Sequence, residues 1–217
     1  MLELQEILLV RHGESTANAK GIWQGQMEFP LSERGRAQAS LAGHGLSSEP
    51  FEGLYSSPLS RAFETAEIIR ARAEFTGEVI PLDGLSERRG GILEGHTWAE
   101  QEQQNPELAK KFLAIPEEER WELVGAETDE EVIARFEEAL SSIRALHPDG
   151  SRIVVVSHGG VMRAFLMKLF GPEILPGAQR AANASITRMQ WDDTGPRLLE
   201  VASTAHLAED PVSSTVE

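Results

Sequence analysis

The chain has 217 residues, 41% of them hydrophobic and 25% charged, the make-up of a globular protein long enough to bury a substantial core. A formal net charge of −15 argues against non-specific nucleic-acid binding, and the absence of Cys excludes a disulfide framework, a thiolate nucleophile and any Cys-based zinc site. No apolar run approaches membrane-spanning length and the first six residues are acidic where a signal peptide would be basic, so the expectation is a cytoplasmic protein with no membrane and no nucleic-acid partner.

The first element is the apolar run Ile7-Leu8-Leu9-Val10, which lacks polar alternation and so reads as a strand buried on both faces. It ends abruptly in Arg11-His12-Gly13-Glu14. Sheets of this kind place their ligands at the carboxyl ends of their strands, so Arg11 and His12 emerge where a ligand would sit, with Gly13 allowing a sharp turn. A polar, glycine-punctuated loop follows through Asn18 and Gln24-Gly25. Ser32 is a plausible N-cap for an Ala-rich helix over 34–45. Residues 51–56 read as a second strand, and Pro58 suits the first turn of the next helix, 59–73, whose apolar residues recur at helical spacing. Arg61 falls in that first turn, where the helix dipole disfavours a cation, a placement that makes sense if the arginine holds an anion.

A short strand is expected at 79–82, and then a loop, 85–95, carrying Glu87, Arg88, Arg89, Gly90 and Gly91. Its composition makes a poor helix and a good binding loop. Residues 96–147 are largely helical and polar, with an amphipathic stripe over 129–146, and the whole piece is expected to cap the sheet edge. The run Ile153-Val154-Val155-Val156-Ser157-His158-Gly159-Gly160 repeats the strand–His–Gly order of the N-terminus and leads into a helix over 161–170. A Pro/Gly-rich loop (171–177), two strands (184–191 and 197–201) joined by a turn at 192–196, and a small polar tail expected to be disordered complete the chain. One domain spans 1–207, with 208–217 as the tail.

Two buried parallel strands that both finish in His-Gly can bring two imidazoles to one sheet edge. With Arg11 and Arg61 they describe an anion site containing a nucleophile, because Arg forks match phosphate oxygens and a neutral imidazole attacks phosphorus. A carboxylic acid nearby would protonate a leaving alkoxide.

Arg11-His12-Gly13-Glu14 resembles the signature of the histidine phosphatase superfamily, the phosphoglycerate-mutase-like proteins. The resemblance extends through Asn18, Gln24-Gly25, Leu31-Ser32-Glu33-Arg34-Gly35, the run from Ser57 to Ala66 around Arg61, the Glu87 loop closed by Glu94-Gly95, Ser157-His158-Gly159-Gly160 and Asn183-Ala184-Ser185-Ile186, in family order. It implies an α/β fold, a mostly parallel central sheet with helices on both faces and a helical cap. It implies His12 as the residue that becomes phosphorylated, Arg11, Arg61 and His158 as the groups holding the transferring phosphoryl, and Glu87 as general acid and then base. Asn18, Gln24 and Gly159 would be further substrate contacts, and no metal or other cofactor is required. The partner is a small phosphorylated metabolite; the sequence leaves a homodimer open.

Within the family the chain departs from the mutase pattern. Gly90 stands where a mutase has a substrate-contacting aromatic, Arg89 where many members carry His, and the cap is shorter. These departures favour hydrolysis of phosphomonoesters over mutase chemistry, with a phosphoglycerate mutase as the alternative. A catalytically silent phospho-ligand binder and a His-ligated metalloenzyme rank behind. Arg88 and Arg89, directly after the acid, are expected to include a reader of a second negative group on the substrate, against the alternative that they pair with glutamates of the cap.

Overall fold

A computed structural model describes residues 4–174, 181–192 and 195–208. Among the described residues six strands form one sheet: β1 (Gln5–Arg11), β2 (Gly53–Ser56), β3 (Val79–Pro81), β4 (Arg152–Ser157), β5 (Ile186–Asp192) and β6 (Gly195–Ser203), in the order β3-β2-β4-β1-β5-β6. The pairs β3-β2, β2-β4 and β4-β1 are parallel, while β5 runs antiparallel to β1 and to β6. The fold is thus the mostly parallel α/β arrangement that the two His-Gly strands imply.

The unalternating apolar strands are buried on both faces because helices cover both. On one face Leu8, Val10, Leu54, Val154 and Val156 pack with Ala42 and Leu46 of α1 (Glu33–Leu46) and with Ala62, Ala66 and Ile69 of α2 (Ser60–Arg72). Ser32 caps α1, its side chain accepting from the Gly35 N–H at 3.0 Å. Pro58 lies one residue before the N-cap Leu59, outside the first turn where the sequence reading put it. On the other face Ile7, Leu9, Tyr55, Ile153 and Val155 meet α6 (Asp129–Leu146) and α7 (Gly159–Phe170).

The position of α6 corrects the expected extent of the cap. Its stripe, Val132, Ile133, Phe136, Ala139, Leu140 and Ile143, is buried against the sheet and α7. The cap is therefore the shorter piece built from α3 (Trp98–Gln104), α4 (Pro106–Ala114) and α5 (Glu117–Leu123), closed around Leu93, Phe112, Val124 and Ala126 with Trp23, Trp98 and Trp121 against them. A polar helix with one apolar stripe satisfies either role, so periodicity alone does not separate a cap helix from a sheet-covering one. Parts of the 171–177 loop and the 192–196 turn, and all but the first residue of the expected tail, fall outside the described residues. Among the described residues no helix is long and apolar enough to cross a membrane.

Candidate active site

The register of the central pair brings the two histidines together. Arg11 lies opposite Ser157 in the β1–β4 ladder, so His12 and His158 are the next residue of each strand, and the His12 N–H donates to the Ser157 carbonyl at 3.0 Å. Their ring centroids are 5.0 Å apart. β2 ends beside them, and Ser57 Oγ is 2.8 Å from His158 Nε2 while accepting from the Leu59 N–H at 3.2 Å.

His12 Nδ1 lies 2.6 Å from the Gly13 carbonyl oxygen. A carbonyl only accepts, so Nδ1 carries the hydrogen, and in a neutral ring the lone pair is then on Nε2. Burial pushes the His12 pKa well below its ordinary value, and the positive charges of Arg61 and Arg11 push the same way. His158 is driven down by the same burial and by Arg61 and the neighbouring His12. Both shifts favour the neutral form of the rings. An arriving phosphate dianion would offset the arginine charges and draw the rings back toward protonation.

Gly13 serves a close approach, and its φ is not in the left-handed region. A Cβ on it would strike the Gly35 carbonyl of α1, and a Cβ on Gly35 would strike the Glu14 carbonyl, so the two backbones meet only as glycines. That contact fixes the loop after β1 against the start of α1.

Arg61 is completely buried, its NH1 and NH2 donating to the carbonyls of Met27 at 2.9 Å and Gly25 at 2.7 Å. Burial lowers its pKa, and the carboxylates of Glu87, Glu28 and Glu94 oppose this. Arg11 donates to the Ala181 carbonyl. Two buried polar atoms at this end have no hydrogen-bond partner among the described residues, Arg61 Nε and His158 Nδ1. Such atoms are costly to leave unsatisfied, and at a cationic site they are what a bound oxyanion would satisfy.

Glu87 sits at the amino end of α7. Its carboxylate accepts from the N–H groups of Gly160 (3.0 Å), Val161 (3.0 Å) and Arg88 (2.8 Å). Gly160 makes room for this, since a Cβ there would lie 2.6 Å from Glu87 Oε1. The loop itself is held from behind. Ser157 Oγ donates to the Leu85 carbonyl at 2.7 Å, and Arg135 of α6 donates to the carbonyls of Gly84 (3.0 Å), Ser86 (2.6 Å) and Glu87 (2.9 Å). Arg135 is braced by the buried Glu127, whose carboxylate also accepts from the Arg89 N–H at 2.8 Å. Burial alone would raise the Glu127 pKa; the bonds from Arg135 and Arg89 outweigh it and hold the pKa below the usual carboxylate value.

These groups surround a cleft of about 270 Å³ lined by Arg11, His12, Asn18, Gln24, Arg61, Glu87, Arg88, Gly159 and Gly160, among others. His158 lies behind that surface, completely buried. Ser15 Oγ is 2.7 Å from Gln24 Oε1 and 3.0 Å from Asn18 Oδ1, so both amide oxygens turn inward and their NH₂ ends are left for the cleft.

Arg88 and Arg89 differ from what their place in the sequence suggests. Arg88 lines the cleft but is 7% exposed and committed: it lies over the Trp121 ring, 4.3 Å from the centroid, and donates to the Glu127 carbonyl and the Asp129 carboxylate. Arg89 is outside the cleft lining, its side chain 63% exposed and 3.6 Å from Glu127. Neither is a free reader of a substrate carboxylate. The cap supplies the wall that the sequence left undescribed, namely Phe112, Glu117, Arg120 and Trp121, with Trp23 and Arg163 from elsewhere. In sequence these are ordinary members of polar helices, and only the tertiary contact marks them.

A model of the histidine phosphatase superfamily (branch 1) matches residues 7–204. The chain belongs to this superfamily. A metal-independent phosphoserine phosphatase of Arabidopsis thaliana is 40% identical over 198 residues, 88% of this chain and 78% of that protein. Phosphoserine phosphatase 1 of Hydrogenobacter thermophilus is 34% identical over 206 residues, 94% and 95% of the two chains. The solved structure of a phosphoglycerate mutase from Bacillus anthracis superposes with a TM-score of 0.84 at 24% identity, covering 95% of this chain and 96% of that one, and shows the shared fold. With relatives of 40% and 34% identity that are phosphoserine phosphatases, the chain is a phosphatase of this superfamily.

Proposed function

We propose that this chain hydrolyses small phosphomonoesters with His12 as nucleophile and Glu87 as proton donor. The observation that carries the assignment is the His12 ring. Its Nδ1–H is spent on the Gly13 carbonyl, its Nε2 is a bare lone pair, and Arg11 and Arg61 stand beside it.

In the first half-reaction Nε2 attacks phosphorus. An N–P bond forms and the P–O bond to the leaving group breaks, while Glu87 gives that oxygen a proton. The three equatorial oxygens gather charge in flight, and Arg11 and Arg61 answer it without reorganising. His158 completes the cradle: its Nε2 is held 2.8 Å from the Ser57 hydroxyl, and its Nδ1 has no partner among the described residues. In the second half-reaction Glu87 takes a proton from water, the water oxygen attacks phosphorus and the N–P bond breaks, releasing inorganic phosphate. Asn18 and Gln24 offer amide donors to the substrate.

The names of the two curated relatives make O-phosphoserine the first substrate to try. The reading includes a cytoplasmic setting, where small phosphorylated metabolites are at hand. The test is release of inorganic phosphate from O-phosphoserine and from an aryl phosphate, with 3-phosphoglycerate followed in parallel for isomerisation. Phosphate release that disappears in His12→Ala supports the assignment. Isomerisation without phosphate release would replace hydrolysis by mutase chemistry, and full activity in a folded His12→Ala protein would remove His12 from the mechanism.

A further inference from the structure

The outer wall of the cleft carries three arginines, Arg88, Arg120 and Arg163, and two carboxylates, Glu117 and Asp129. Two of the cations are answered. Arg88 is paired with Asp129, and Arg163 NH1 and NH2 lie 2.7 and 3.5 Å from the two Glu117 oxygens. Arg120 is different. Its Nε donates to the Ile115 carbonyl at 3.0 Å and its guanidinium lies 5.5 Å from the centroid of the Phe112 ring, so the plane is fixed from two sides. Its terminal nitrogens have no partner among the described residues, and the residue lines the cleft. Among the described residues the wall is left with one uncompensated positive charge, on a guanidinium already oriented.

We propose that Arg120 determines specificity by binding a carboxylate of the substrate, so that the preferred substrates are phosphomonoesters carrying a carboxylate. This rests on the phosphatase reading of the same cleft. NH1 and NH2 of a planar guanidinium match the two oxygens of a carboxylate, and holding the plane beforehand reduces the ordering cost on binding. The apolar floor given by Phe112 and Trp121 lowers the local dielectric and strengthens the pair. The assignment moves the carboxylate reader from Arg88 and Arg89, which the fold has committed elsewhere, to a cap residue that bears no motif.

The experiment compares O-phosphoserine with phosphoethanolamine, the same molecule without the carboxylate, in the wild type, Arg120→Met and Arg120→Lys. Methionine keeps an apolar stem over Phe112, and lysine keeps the charge as a point without the fork. The readout is the ratio of kcat/KM for the two substrates, in which any partial loss of folded protein cancels. The wild-type ratio should fall about 10- to 100-fold in Arg120→Met, the worth of a charge-assisted hydrogen-bonded pair, with partial recovery in Arg120→Lys. An unchanged ratio in Arg120→Met would overturn the proposal while leaving the phosphatase reading intact. If the wild type released phosphate from neither these nor an aryl phosphate, the phosphatase reading itself would fail.

Discussion

At the scale of single residues, the chemistry is decided by what each polar atom is bonded to. His12 and His158 are equivalent in the sequence, each following a β-branched or aliphatic run and preceding glycine. The structure separates them by one contact each, the Gly13 carbonyl on His12 Nδ1 and the Ser57 hydroxyl on His158 Nε2. Those partners were not legible, because a backbone carbonyl and a serine from another strand carry no signal in the local pattern. Glu87 was legible as the acid of a glycine-rich loop through the resemblance, but its clamp, Arg135 with Glu127, lies forty or more residues away and reaches it only through the fold. A proton donor matters most when the leaving group is poor. Glu87→Gln should therefore slow alkyl phosphates by ~10²–10⁴-fold and aryl phosphates much less. Equal losses with both leaving groups, measured as kcat/KM, would mean that Glu87 only positions the phosphate.

At the scale of elements, the strands were read well because a strand buried on both faces writes itself as an uninterrupted apolar run. Ile7, Leu8, Leu9 and Val10 alternate between the two sides of the sheet, yet all four are completely buried. The helix α6 was read as a helix and given the wrong neighbour. Its stripe specifies that something apolar covers it and leaves open whether that is the sheet or the cap. Phe136 makes the distinction measurable. It is completely buried, 5.0 Å from the Phe165 ring of α7. Phe136→Ala should cost about 3–5 kcal/mol of global stability in denaturant titration, as a core truncation does. A loss under about 1 kcal/mol, well below the range for truncating a core phenylalanine, would return α6 to the cap.

At the scale of the whole molecule, a strongly acidic chain keeps a cationic cleft by burying its arginines beside two neutral histidines. That arrangement couples folding to pH. Both histidines have folded pKa values depressed well below the ordinary 6.5, so below about pH 6.5 the unfolded chain binds protons that the folded one refuses. The stability is present above pH 6.5 and is lost as the pH falls, at up to about 1.4 kcal/mol per pH unit for each histidine. Unfolding free energies at pH 7.5 and 5.5 should show the decline, and His12→Ala should make it shallower. A decline as steep in His12→Ala as in the wild type would show that folding does not depress the His12 pKa. Inorganic phosphate should oppose the loss, because an anion between the arginines favours protonated rings.

The central claim is that the phosphoryl group passes through His12 Nε2. The most direct measurement is rapid mixing with an aryl phosphate, a quench at alkaline pH where phosphohistidine survives, and peptide mass spectrometry, in the wild type and in Glu87→Gln to slow the second half-reaction. The account predicts one phosphoryl group, stable in alkali and labile in acid, on the peptide holding His12. A phosphoryl group on any other residue, or steady turnover with no phosphoenzyme in either protein, would contradict it.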